Sequence, residues 1–280
     1  MNQSNKIVAY IKITRPINVV ITFFAVVIAI LISQKNQIEI SLIIWASVAA
    51  AFTAAAGNII NDIFDVEADK ISHPKRVLVS GVLTKKEAWF EYIILNSISG
   101  IITAYLSTIL FLIVLITIVI LFIYALYLKK ILLAGNIIIA ILTGLAFIYG
   151  GFAAGNPQAA IIPAIFAFLI NLIREIVKDI QDVKGDKKQN IQTFPIQFGL
   201  GSSTKLIVSL SIILIAFTFY PFIMHLYKIE YFILVMIVVN PIIVLSIKYL
   251  WTNKENKFYT VSKLLKFNMI IGLISIYLGR

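Results

Sequence analysis

The sequence predicts an all-α integral membrane protein, a single polytopic domain over residues 1–280 with about nine transmembrane helices. Three observations lead there. The chain is 60% apolar and 13% charged, with a mean hydropathy of +0.98, whereas soluble domains run to about 45–50% and about 25%. Its apolar residues fall in runs near the roughly 20 residues a helix needs to cross the hydrocarbon core. Its lysines and arginines gather in alternate loops, as they do in multi-spanning proteins.

The elements follow in order. Residues 1–15 read as an amphipathic segment lying on the membrane surface, with Ile7, Val8 and Ile11 set against Lys6, Lys12 and Arg15. No small-residue cleavage site follows the first apolar run, which therefore reads as a span and not a removed leader. Spans are expected near 17–33, 41–61, 88–106, 108–128, 131–153, 158–178, 206–226, 229–250 and 264–279. Only Ser107 and Thr108 mark the seam between the third and fourth, and the ninth is short. Pro221 and Pro241 fall inside spans and read as kinks, and Gly150-Gly151 as a close approach of two helices. The stretches 62–87 and 183–205 read as loops capping one mouth of the bundle.

Nine spans place 21 of the 24 Lys and Arg on one side and leave Lys35, Lys228 and Arg280 on the other. The crowded side, which carries the N-terminus, is expected to be cytoplasmic, in the cell membrane. The net charge of +11 suits an acidic membrane surface or an anionic substrate, and a chain so largely embedded in lipid argues against nucleic acid. The absence of cysteine removes disulfides, thiolate nucleophiles and sulfur metal sites. There is no phosphate-binding glycine loop, nucleophile elbow or HExxH zinc motif. His73 reads as a solvated loop residue.

Eleven of the 13 acids fall on the same side as the bases, and no sorting rule places acids there. They concentrate in two stripes. Asp62, Asp65 and Asp69 repeat at i, i+3 and i+7, and so do Asp179, Asp182 and Asp186, which puts each trio on one helical face. Asn58 and Glu175 extend the stripes toward the membrane by one turn, and Asn171 extends the second further. A solvated juxtamembrane face would account for one such stripe. Two with the same spacing, at equivalent ends of the second and sixth spans, call for a shared purpose, because ionisable residues at spans are functional by default. Carboxylates without sulfur or nearby imidazole suit Mg²⁺, Mn²⁺ or Ca²⁺ and not zinc, and Mg²⁺ commonly shares one or two carboxylates with substrate phosphates. Asn61, Arg76, Lys129, Arg174 and Lys178 adjoin the stripes and suit phosphate oxygens, with Asn58 beside them. Membrane sorting suffices for Lys85, Lys86, Lys187 and Lys188. Arg15, Lys75, Tyr124 and Asn171 are further candidates for an acceptor site or cavity.

The run from Asn61 and Asp62 through Asp65 to Asp69 after a second span resembles the NDxxDxxxD signature of the UbiA superfamily of intramembrane prenyltransferases. Asp182 with Asp186 resembles its second motif, DxxxD. The Arg15-Pro16 start of the first span and the loop from His73 to Gly81 are also similar, so the likeness covers essentially the whole chain. The string from Arg174 to Asp186 is most similar to the archaeal digeranylgeranylglyceryl phosphate synthase branch. The pattern departs at Tyr124 and Tyr127, whose spacing to Lys129 differs from the YxxxK of some relatives. This resemblance implies nine helices around a central cavity with the two motifs facing each other. It also implies Mg²⁺ held by Asp62, Asp65, Asp69, Asp179, Asp182 and Asp186, with Asp62, Asp65, Asp179 and Asp182 carrying the catalysis. The implied partners are a prenyl diphosphate, a lipid-like phosphate-bearing acceptor and the bilayer. The implied reaction is geranylgeranyl transfer to (S)-3-O-geranylgeranylglyceryl phosphate, giving the second ether bond of archaeal lipids. Prenylation of an aromatic acceptor for a quinone, and a cation transporter with an acidic pathway, are the alternatives.

Overall fold

A computed structural model of the chain describes residues 3–35, 37, 39–188, 191–252 and 257–280. Residues 1, 2, 189, 190 and 253–256, which belong to the expected surface segment, a capping loop and a basic loop, lie outside the described residues. Among the described residues every regular element is helical. The order is α1 (Gln3–Ile13), α2 (Pro16–Ser33), α3 (Ile40–Ser72), α4 (Lys85–Leu106), α5 (Thr108–Leu126), α6 (Ala134–Ala153), α7 (Ile161–Lys188), α8 (Phe194–Ile223), α9 (Ile229–Leu234), α10 (Asn240–Leu250) and α11 (Lys257–Leu278). A π-turn at Val235–Val239 joins α9 to α10, so the stretch Ile229–Leu250 makes one crossing. Eight stretches are long and apolar enough to span a bilayer. The 22-residue α4, whose head carries Lys85, Lys86, Glu87 and Glu91, falls outside that set, so the count among the described residues is close to the nine expected. The protein is a multi-pass membrane protein.

Local chemistry sets the boundaries. Pro16 opens α2, where its missing N–H costs nothing. Thr84 and Glu87 close a reciprocal capping box on α4. Ser107 is extended, with φ −170°, and separates α4 from α5 at the expected seam. The π-turn precedes Pro241, which cannot donate the backbone bond a continuous helix needs there. Pro221 lies within the last turn of α8. The stretch 62–87 is not all loop, because α3 keeps its helix to Ser72. The 183–205 stretch is also largely helical: α7 runs to Lys188, and Phe194 starts α8, which breaks at Gly199 (φ +78°). Hydropathy marks where lipid ends, not where the backbone stops coiling.

α1 is 11 residues long, too short to cross. It buries Ala9 and Ile13 and exposes Ile7, Val8 and Ile11, the arrangement of a helix lying in the interface. Between the long helices lipid offers no hydrophobic drive, so close contact does the holding. A Cβ on Gly150 would stand 2.6 Å from that of Ala29, so α6 and α2 touch through glycine. Thr53 and Ser99 hydroxyls meet at 2.8 Å between α3 and α4. Phe64 of α3 meets Trp89 and Phe122 edge-on at ring separations of 6.3 and 5.9 Å. At the far face Arg280 Nη2 donates to the Gln34 carbonyl beyond α2 (3.3 Å). α1 lies at the other face, where Lys6 reaches Glu87 at the head of α4. The two ends of the described chain thus lie on opposite faces, as an odd number of crossings requires.

Candidate active site

The extended α3 carries Asp62, Asp65 and Asp69 on one face, and each meets a base from elsewhere. Arg15 Nη2 donates to Asp62 at 2.5 Å. Arg76 in the loop after α3 donates to Asp62 at 3.3 Å and also pairs with Asp69. Lys129, in the turn after α5, pairs with Asp65. Three like charges that would repel along a helix are thereby separated by cations. Asp62 and Asp69 are each only 4% exposed, so losing a partner would strand a buried charge at a cost of about 3–5 kcal/mol.

Backbone features deliver two of those bases. Arg15 has φ +55° immediately before Pro16. The ring disfavours the right-handed helical region for the preceding residue, and the left-handed one costs about 1–2 kcal/mol. Asn58 Nδ2 donates to the Thr14 carbonyl at 2.8 Å and ties that hinge to α3. Lys129 is placed by a tight turn that needs glycine: a Cβ on Gly135 would meet the Lys129 Cα at 2.8 Å.

The second stripe lies on α7, which packs against α3. Asp179 accepts from Asn136 Nδ2 of α6 at 2.9 Å. Asp182 stands 3.1 Å from His73 Nε2, so the histidine expected in solvent instead bridges the loop after α3 to α7, though it stays 40% exposed. The loop turns it inward because α3, by continuing to Ser72, carries His73 across to α7. Asp186 makes no ion pair among the described residues. Buried Glu175 accepts from Lys178 at 2.7 and 2.9 Å and from Arg174 at 3.3 Å.

Behind the stripes lies a cavity of about 300 Å³. Its polar end is lined by Arg15, Asn58, Asn61, Asn171, Arg174, Glu175 and Lys178. Its walls are apolar, among them Ile113, Leu121, Leu142, Phe147, Phe166 and Val239. Tyr124 faces it despite the irregular spacing to Lys129. Lys75 does not. It is exposed and lines a separate, more open recess with Lys12, His73 and Arg76, because the loop turns outward at Pro74. Asn61 Oδ1, Asn171 Nδ2 and Arg174 Nε are buried without a hydrogen-bond partner. Among the described residues no three acidic or histidine side chains converge on one point. Sequence reasoning passed over Asn136, Asn18, Lys266 and Asn268, single polar residues inside apolar runs. Their only signal was polarity at a membrane position.

An apolar chamber whose polar mouth carries acids and bases in pairs is a place to hold an amphiphile by its charged head. Comparison with known proteins narrows that class. Residues 20–270 match the UbiA prenyltransferase family, and the chain belongs to it: this is an intramembrane prenyltransferase. It is similar to the digeranylgeranylglyceryl phosphate synthase of Methanosphaera stadtmanae, 34% identical over 96% of this chain and 98% of the relative. A solved digeranylgeranylglyceryl phosphate synthase in membranes matches with a TM-score of 0.76, 31% identity and 98% of each chain covered. A UbiA homologue from Archaeoglobus fulgidus, bound to DMAPP and Mg²⁺, shares the fold, with a TM-score of 0.64, 20% identity, and 95% and 98% coverage. Membership in an enzyme family removes the transporter alternative, which also placed its site at the midplane and not at one face.

Proposed function

We propose that the chain transfers a geranylgeranyl group from its diphosphate to (S)-3-O-geranylgeranylglyceryl phosphate, with the mouth facing the cytoplasm. The observation that carries this reading is the junction at Arg15, which lines the apolar cavity and pairs with Asp62 of the first stripe: the charged side suits a diphosphate and the apolar side a prenyl chain. The full-length relatives named for this reaction support the choice of acceptor.

The donor set fits Mg²⁺. It offers hard carboxylate oxygens in two stripes, no sulfur, and a buried Asn61 oxygen without a partner. Asp62, Asp65, Asp69, Asp179, Asp182 and Asp186 would share the Mg²⁺ ions between them; the A. fulgidus homologue of the same fold is bound to DMAPP and Mg²⁺. When bound, Mg²⁺ supplies charge neutralisation at the departing diphosphate. Arg76, Lys129, Arg174 and Lys178 donate to the remaining phosphoryl oxygens, with Asn58 and Asn61 beside them. Positive groups fixed where negative charge develops lower the barrier to breaking the C1–O bond, whose electron pair leaves with the diphosphate. The cavity walls hold the prenyl chain and keep water from the allylic carbon. The acceptor hydroxyl oxygen then bonds to C1 and loses its proton.

The test incubates purified protein with labelled geranylgeranyl diphosphate, Mg²⁺ and each acceptor in turn. The expected product is the diether phosphate. Product with an aromatic acid but none with the glyceryl phosphate would overturn the assignment.

A further inference from the structure

The acids and bases of the two stripes account for one polyanion, yet a transfer to a phosphorylated acceptor brings two. The cavity holds another set of donors that the stripes do not use. Lys266 lies nine residues into α11, roughly 13 Å along the helix from its first residue. A lysine placed only by membrane sorting would extend its stem toward water. Lys266 instead lines the cavity, and its Nζ donates to Asn18 Oδ1 of α2 at 2.5 Å. Among the described residues no carboxylate pairs with it, so a half-buried cation is left with a neutral partner and two unused protons.

A second observation points to a ligand in the same cavity. Asn268 also lines the cavity and is 1% exposed, and neither end of its amide has a partner. On α7, against which α11 packs, Asn171 is 4% exposed, and its Nδ2 likewise lacks a partner. Buried amides are almost always satisfied. Two left open in a cavity that an uncompensated ammonium also lines describe a chamber for a group rich in acceptor oxygens. A phosphate monoester dianion has only acceptor oxygens to offer such N–H groups.

We propose that Lys266 meets the phosphate of the acceptor, with Asn268 and Asn171 open to the rest of its phosphoglycerol head, as a subsite separate from the groups that receive the diphosphate. This rests on the glyceryl phosphate reading above. Charge-assisted hydrogen bonds to a phosphate are worth enough that losing them weakens binding roughly ten- to hundredfold. The experiment measures KM for the acceptor, KM for geranylgeranyl diphosphate and kcat in the unsubstituted protein, Lys266→Met, Lys266→Arg and Asn268→Ala. A parallel series uses the acceptor alcohol that lacks the phosphate.

Lys266→Met is expected to raise KM for the phosphorylated acceptor roughly ten- to hundredfold and to leave KM for the diphosphate within about twofold. It should cause no further loss with the alcohol. Lys266→Arg should recover most of the defect, and Asn268→Ala should show a smaller version of it. Equal losses with both acceptors, or a rise confined to the diphosphate KM, would overturn the subsite. If the unsubstituted protein ignores the phosphate and prenylates an aromatic acid, the parent reading fails and takes the subsite with it. If it requires the phosphate but Lys266→Met does not move the acceptor KM, the subsite alone fails.

Discussion

Asp62 and Asp179 occupy equivalent places in the two stripes but are held differently. Asp62 is held by two cations and Asp179 by the neutral amide of Asn136. Replacing either with alanine removes a carboxylate, and both variants should lose at least roughly a hundredfold in kcat under the proposed role. Asn136→Ala leaves the carboxylate in place but frees its orientation. Its expected signature is a roughly tenfold rise in the Mg²⁺ concentration for half-maximal rate, with a smaller effect at saturating ion. Titration of activity with Mg²⁺ checks this. Near-normal rates in Asp62→Ala and Asp179→Ala would show that the stripes have been misread.

At the scale of elements, α1 packs Ala9 and Ile13 into the core and, among the described residues, adds an ion pair that can be switched off. Lys6 lies 2.6 Å from Glu87, which also receives the Thr84 amide and hydroxyl at 2.8 Å each. The hydrogen bond from Lys6, followed by those from Thr84, holds the Glu87 carboxyl down at about 2. A lowered folded value means that the pair contributes fully above the ordinary glutamate range and is lost as pH falls from there through about 2. Hydrogen exchange of α1 amides, corrected for intrinsic rate, should therefore be unchanged from pH 7 to 5 and should rise in protein held below pH 4. Glu87→Gln should show the fast exchange already at pH 7.

Elements differ in how well the sequence exposed them. The i, i+3, i+7 spacing of aspartates is a helical signature independent of lipid, so both stripes could be read from the chain. The end of α3 could not, since apolarity stops near residue 61 while its backbone ladder runs on to Ser72. The pairing of His73 with Asp182 joins distant parts of the chain and leaves no local trace. Lys266 was visible only as one more base on the sorted side. Its partner Asn18 lies 248 residues away, and only the fold brings them together.

For the molecule as a whole, the acids, their bases and α1 lie on one face, and the carboxyl end of α11 lies on the other beside Gln34. The charge bias assigns the first face to the cytoplasm. Single cysteines can report this cleanly, because the chain has none of its own. A cysteine at exposed Lys75 should be shielded from an impermeant maleimide in right-side-out vesicles and react after permeabilisation. One at exposed Lys228 should react without it. The reverse pattern would invert the proposed orientation.

Among the described residues three other than glycine hold a left-handed backbone: Arg15, Leu133 and His225. They predict three different outcomes in a saturation scan. His225 is exposed on a loop, so glycine there relieves about 1 kcal/mol of strain and should raise the melting temperature in detergent. Leu133 packs against the core around α7, so glycine trades relief for lost contact. Position 15 has no good exchange at all. Glycine would relax the hinge and abandon Asp62, and lysine would keep a charge but lose the planar fork while retaining the strain. Each property alone would tolerate a substitute. Held by one residue, they make position 15 a place where single-step variation has no exit.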